Sequence, residues 1–105
     1  MNKADKLHAL ELSRRKLEHL VGELLRKADE LDQSVKYGER KLSDNWQERL
    51  ASTCTELAAL SETVASIRVL IDSGDISATQ RALLKSTDIA THLSGRLRQI
   101  KHSTY

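Results

Sequence analysis

Apolar residues recur every three or four positions in three separate stretches of this chain. In the first stretch they follow a heptad over about residues 4–35, whose seven-residue period keeps one stripe of a helix against its neighbours. Its d positions are Leu10, Leu17, Leu24 and Leu31, and its a positions are Leu7, Arg14, Val21, Ala28 and Val35. Leu20 and Leu25 widen the stripe, which favours a bundle with more than one neighbouring helix. For Arg14, the charged a position, we expect a guanidinium that reaches the edge of the seam.

The second stretch, about residues 43–72, carries a heptad of its own. Its d positions are Trp46, Thr53, Leu60 and Ile67, and its a positions are Leu50, Leu57, Val64 and Ile71. Cys54 and several alanines flank this seam and favour an inner helix that neighbours approach closely on both sides, with Cys54 as a buried structural thiol. Asp44 and Gln47 are spaced as a capping box at its start, and Gly74 is placed to close its end.

The third stretch, about residues 77–101, is the least apolar. Its a positions are Leu83, Ala90 and Leu97, and its d positions are Ser86, Leu93 and Ile100. Ser77 and Gln80 are spaced as a capping box, so the helix is predicted to begin at Ser77. Gly95 lowers its helix propensity by about 1 kcal/mol relative to alanine.

The segment 36–42 decides how the first two helices are connected. It contains Gly38, and the heptad phase shifts by one residue across it. The first frame would place an a position at residue 49, whereas the a residue of the second heptad is Leu50. We interpret the shift as a loop, and a single all-α domain over 1–105 follows: an elongated antiparallel three-helix bundle with coiled-coil-like heptad packing. The alternative is one long helix through this segment, which gives a helical hairpin that dimerises.

The composition agrees with an all-helical chain. There is no proline, there are four glycines and three aromatic residues, and 30% of the residues are charged. No stretch of about 20 apolar residues that could span a membrane and no secretory leader is visible, and the one cysteine cannot form an internal disulfide. These features favour a cytoplasmic protein.

The charge is distributed unevenly along the chain. Residues 43–75 carry two basic and six acidic side chains, whereas 76–105 carry five and one. Arg81, Lys85, His92 and Arg96 recur at helical spacing and form one basic stripe on the third helix, which is the best candidate for a partner-binding surface. Arg40, Lys41 and Trp46 near one end of the bundle are added as partner contacts, because a tryptophan beside cations can anchor a partner when it is not a core residue.

Catalytic and metal motifs are not visible in the sequence. His8, His19, His92 and His102 have no zinc-site spacing, and no phosphate loop or nucleophile motif is present. We therefore expect no enzyme activity, no cofactor and no metal, and we expect Asp29, Glu30 and Asp32 to meet basic groups of another helix or of a partner.

The predicted function is a non-enzymatic protein–protein interaction module, that is, a subunit, adaptor, regulator or chaperone-like partner. Its partner is another protein, either a second copy in a homodimer or the other members of a hetero-complex. The alternative is a nucleic-acid-associated factor that uses the basic stripe. Nucleic acid is the less favoured partner because the net charge is only +2 and no aromatic residue lies on the third helix before its end.

Overall fold

The computed structural model describes residues 2–104, which form three helices joined by short connections. They are α1 (Lys3–Lys36), α2 (Asp44–Asp72) and α3 (Ile76–His102). Each helix packs against the other two, and the molecule measures 54 × 18 × 18 Å. A 34-residue helix is about 51 Å long, so α1 runs the full length of the molecule. The predicted elongated three-helix bundle is confirmed. The predicted and observed helix ends agree at Asp72 and differ by one residue at the other five ends.

The core consists mainly of the predicted heptad positions, joined by Leu42 from the connection between α1 and α2. Val21, Leu57, Val64, Ala90 and Ile100 have no exposed surface, and the other large a and d residues at the centre of the bundle are almost as deeply buried. Thr53 is also fully buried, and its hydroxyl donates a 2.7 Å hydrogen bond to the carbonyl of Arg49 one turn earlier. The seams read from the sequence are therefore the seams that pack.

Both connections are closed by a glycine in the left-handed region. Gly38 has φ 76° and Gly74 has φ 77°, a backbone conformation that disfavours any residue with a Cβ. After α2, the N–H of Gly74 donates to Ile71 at 3.0 Å and that of Asp75 donates to Leu70 at 3.2 Å, which is the Schellman pattern. The same pattern follows α1, where the N–H of Gly38 donates to the carbonyl of Val35 and the N–H of Glu39 donates to that of Ser34. Because this motif ends α1 after Lys36, the alternative of one long helix is wrong.

Neither predicted capping box forms. The N-cap of α3 is Asp75, whose carboxylate accepts a hydrogen bond from the N–H of Ala78, and not Ser77. At the start of α2 the N-cap is Ser43, and the Gln47 side chain donates to the carbonyl of Leu42 at 2.9 Å. The α2 cap is Ser43, the residue at which the second stretch was predicted to begin and the one before the Asp44 of the box. The α3 cap lies two residues before the predicted Ser77.

The alanines of α2 do not lie at a helix contact. Ala51, Ala58 and Ala65 are all exposed, and Cys54 is only half-buried. Helix α2 does contact both of its neighbours, as predicted, but it does so through leucine, isoleucine and valine. The least extensive of the three contacts is between α1 and α3.

Arg14 does not reach the edge of the bundle as expected. Only 6% of this residue is exposed, and its guanidinium donates to both oxygens of Glu11, at 2.8 and 2.9 Å. Glu18 accepts a further bond from Arg14, while Arg68 reaches across from α2 to Glu11 at 3.3 Å. The sequence analysis did not pair Arg14 with Glu11, which is itself almost fully buried.

Hydropathy gives no sign of a membrane-spanning element in residues 2–104, where no helix combines the necessary length and apolar character.

Candidate interaction groove

The four residues of the predicted basic stripe on α3 do not share one environment. Arg81 and Lys85 are exposed, and neither forms an ion pair with another residue in the range 2–104. Further along, Arg96 forms an ion pair with Glu56 of α2. His92 is exposed beside it, over a shallow groove of about 500 Å³ between α2 and α3. Of the four stripe residues, Arg96 is the one that forms an ion pair with the acidic helix.

Trp46 and Lys41, near the α1–α2 connection, have different surroundings. Trp46 is half-buried and packs against the core, and the guanidinium carbon of Arg49 lies 4.8 Å from the centre of its ring. This position is that of a core residue stabilised by a cation–π contact. Lys41 is exposed in the connection.

A second groove, between α1 and α3, is lined by far more positive charge. It has a volume of about 420 Å³ and lies at the end of the bundle where α1 and α3 both terminate. The residues that line it are Leu24, Arg26, Lys27, Glu30, Leu31 and Ser34 of α1, Arg40 of the connection, and Ser94, Leu97, Arg98 and Lys101 of α3. Five of these side chains are cationic, and Glu30 carries the one carboxylate in the set. Of the predicted contact residues, Arg40 is the one that the structure places here.

The floor of this groove is apolar. Leu24, Leu31 and Leu97 line it, and each exposes no more than 6% of its surface. Ser34 and Ser94 also line the groove with short side chains. Short side chains at the walls leave the space over the leucines unfilled.

Most of the cations around the groove have no carboxylate partner. Lys27, Arg98 and Lys101 are exposed and Arg40 is half-buried, and none of the four is ion-paired with any residue between 2 and 104. The exception is Arg26, which bonds Glu23 and Glu30 at 2.7 Å each. The groove therefore offers several unneutralised hydrogen-bond donors around an aliphatic floor.

The helix directions explain part of this charge. Helices α1 and α3 run in the same direction, because α2 reverses the chain between them, so their carboxyl ends lie at the same end of the bundle. Basic side chains such as Arg98 and Lys101 are stabilised near the carboxyl end of a helix, where the helix dipole is negative. Stability of the single helices thus favours some positive charge here, but it does not require Lys27 or Arg40.

Two exposed leucines lie beyond the groove, toward the other end of the bundle. Leu20 is 45% exposed and precedes Leu24 by four residues and Lys27 by seven, so it shares their face of α1. Leu84 is 68% exposed and precedes Arg98 by two heptads on α3. The widening of the first apolar stripe at Leu20, noted from the sequence, is therefore a property of the groove side of α1.

The acidic residues late in α1 have a different role from the predicted one. Glu30 pairs with Arg26, and Asp32 pairs with Lys36 at 2.9 Å, so both meet basic groups of their own helix. Burial, together with the charges of Asp32 and Asp29, raises the pKa of the nearby Cys54 thiol. A thiol with a raised pKa is a poor nucleophile at neutral pH.

The groove supports binding and not a recognisable reaction. Its serines lie beside cations, with no histidine or unpaired carboxylate among the lining residues to act as a base. Within residues 2–104, no group of three histidine, cysteine or carboxylate side chains is placed to hold a metal ion. What the arrangement can do is bind an anionic group while apolar atoms cover its leucines.

The groove was not predicted because its residues come from distant segments. In the sequence, nothing connects Lys27 with Arg98. They share one groove only because α1 and α3 pack side by side in the same direction. The signals that could have found them are the exposed leucines on the same faces and the absence of acidic residues near Arg98. Comparison with known proteins adds nothing to this picture, because no protein-family model, no curated protein and no solved structure matches the chain.

Proposed function

We propose that this chain is a non-enzymatic, cytoplasmic protein-interaction module, a subunit or adaptor, and that it binds its partner through the groove between α1 and α3. The observation that carries the proposal is the ring of unpaired cations, Lys27, Arg40, Arg98 and Lys101, around an apolar floor. The carboxyl ends of α1 and α3 favour basic side chains nearby, but cations held close together without partners repel one another. A negatively charged partner removes that cost.

The apolar part of the surface supports a protein over a nucleic acid. Protein interfaces place an aliphatic or aromatic centre inside a polar rim, which is the arrangement of Leu31 and Leu97 beneath the cations. A nucleic-acid backbone needs a track of cations and stacking aromatic side chains. No aromatic residue lines the groove, and Leu20 and Leu84 are exposed on the same faces of α1 and α3.

The charge also supports a partner other than a second copy of the chain. A symmetric dimer brings the same patch of both subunits together. Two such grooves facing each other would bring two sets of unpaired cations into one interface. The electrostatic cost of that contact favours a hetero-complex over a homodimer.

Selection from a displayed library of short protein segments tests this function. The wild-type chain is the bait, and each selected segment is then measured against a groove variant, Lys27→Glu/Arg98→Glu. A matched control, Lys3→Glu/Lys6→Glu, introduces the same change of charge on exposed residues at the opposite end of the bundle. We expect selected segments to lose binding to the groove variant and to keep it for the control, with both variants still helical by circular dichroism. Segments that bind both variants equally, or a selection that enriches none, would contradict the proposal.

A further inference from the structure

We infer that the α1/α3 groove binds an amphipathic helix that runs antiparallel to α1 and α3 and carries acidic residues in its first two turns. The inference rests on the proposed function and specifies the partner by its chemistry. It follows from the length of the groove, the position of its apolar part, and the position and polarity of its charged end.

The groove has the dimensions of a helix site. Its lining residues follow α1 from Leu24 to Ser34, about 15 Å at 1.5 Å per residue, and exposed Leu20 lies one turn before them, about 21 Å from Ser34. A partner of four to five turns would cover this length. It would complete a four-helix arrangement, since α2 already packs between α1 and α3 on the opposite side of the bundle.

The apolar and charged parts of the groove lie at different ends. The exposed leucines Leu20 and Leu84 lie toward the middle of the bundle, whereas Arg98 and Lys101 lie at the end where α1 and α3 terminate. A matching helix therefore has leucine-like residues at i, i+3, i+4 and i+7 along one face and carboxylates at one of its ends. A partner helix with acidic residues along its whole length would place charged groups over Leu20 and Leu84.

The helix dipole decides which end of the partner is acidic. The carboxyl ends of α1 and α3 bring two partial negative charges to the cationic end of the groove. An antiparallel partner places its amino end there, so its partial positive charge faces the two carboxyl ends. Asp and Glu are favoured in the first turn of a helix, and from that turn they reach Lys27 and Arg98. A parallel partner would gather three carboxyl ends at one place and would carry its acidic residues where its own dipole disfavours them.

Three designed peptides of about 18 residues, labelled for fluorescence anisotropy, test the inference. All have the same leucine face. The first has glutamates in its first two turns, the second has the same glutamates in its last two turns, and the third has lysines in place of the glutamates. We expect the first to bind about tenfold more tightly than the second and the third not to bind, with affinity falling as salt is raised.

Variants of the chain test where the first peptide binds. Lys27→Glu/Arg98→Glu should weaken binding of the first peptide by about tenfold or more, and Leu20→Ser/Leu84→Ser by about threefold to tenfold. The control Lys3→Glu/Lys6→Glu, at the opposite end of the bundle, should leave its affinity unchanged. Leucines 20 and 84 are exposed, so their replacement leaves the core packing intact.

Specific outcomes overturn the inference. Equal affinity for the first two peptides, or binding that the groove variant does not weaken, would do so. Tighter binding of a labelled single-stranded oligonucleotide at the same cations would also overturn it. If the first peptide does not bind while the library yields groove-dependent segments of another composition, the helix inference fails and the proposed function stands. If the library yields no groove-dependent segment either, both fail.

Discussion

The carboxylate of Asp75 accepts a hydrogen bond of 3.0 Å from the backbone N–H of Ala78. This bond satisfies one of the N–H groups that the first turn of α3 leaves without a helical partner. The carbonyl of Asp75 also accepts bonds from the N–H and the hydroxyl of Thr79, at 3.0 and 2.7 Å. One residue thus holds both the start of α3 and a fully buried threonine.

Removing the cap should destabilise the chain measurably. We expect Asp75→Ala to lower the free energy of unfolding by about 1 kcal/mol, the usual effect of an N-cap deletion. Ser77→Ala is the matched control, because Ser77 is exposed and is not the N-cap, and it should change stability by less than about 0.5 kcal/mol. Urea denaturation followed by circular dichroism measures both, and an equal loss for the two variants would contradict the assigned cap.

The glycines fall into two classes that should respond in opposite directions to alanine. Gly38 and Gly74 have positive φ, so Gly38→Ala and Gly74→Ala should each cost about 1 kcal/mol. Gly22 is helical, and a Cβ there meets nothing within 4 Å. Gly22→Ala should therefore stabilise the chain by about 0.5–1 kcal/mol through helix propensity. Thermal unfolding of the three variants is the measurement, and a loss of stability in Gly22→Ala would contradict this view of α1.

The buried pair of Glu11 and Arg14 should show strong coupling. Glu11→Gln removes the charge that Arg14 faces at 2.8 Å and should cost about 2 kcal/mol, because Glu18 remains as a second partner. Replacing both residues, as Glu11→Gln/Arg14→Met, removes the buried charges together and should recover most of that loss. A double-mutant cycle in urea gives the coupling, and a double variant that is as unstable as the sum of both singles would show that the pair does not act as a unit.

The same pair predicts a loss of stability in acid. Hydrogen bonding to Arg14, opposed by burial, lowers the pKa of Glu11 from its ordinary value of 4.5 to about 2. A carboxylate with a lowered pKa in the folded state contributes stability that is complete above pH 4.5 and is lost as the pH falls toward 2. Stability measured from pH 6 to pH 2 should therefore fall less steeply for Glu11→Gln than for the wild type. Parallel curves for the two proteins would contradict the assignment.

Cys54 should react slowly for a half-buried thiol. Desolvation, together with the charges of Asp32 and Asp29, raises its pKa. At neutral pH we expect iodoacetamide to modify the folded chain about tenfold more slowly than the chain in urea. Asp32→Asn removes one of the two carboxylates and should speed the reaction of the folded protein. Equal rates for the folded and unfolded chains would contradict the effect of the fold on this thiol.

Periodicity was sufficient to predict the helices and the core, because burial in a bundle depends on spacing that the sequence shows directly. Leu57 and Val64 are at predicted a positions and are fully buried. The caps were harder, because several adjacent residues such as Asp75 and Ser77 can all accept an N–H bond and only the backbone geometry selects one. The groove could not be predicted, since Lys27 and Arg98 become neighbours only through the packing of α1 on α3.

Arg14 has one consequence for how the helices align along the bundle axis. The leucine seams repeat every seven residues, so a shift of α1 by one heptad, about 10 Å, would still place leucines opposite leucines. Such a shift would carry Glu11 away from Arg68 of α2, its 3.3 Å partner, and would leave the Arg14 pair against aliphatic side chains. The buried charge thus acts as a register mark: it selects one alignment among several that the leucines alone would accept.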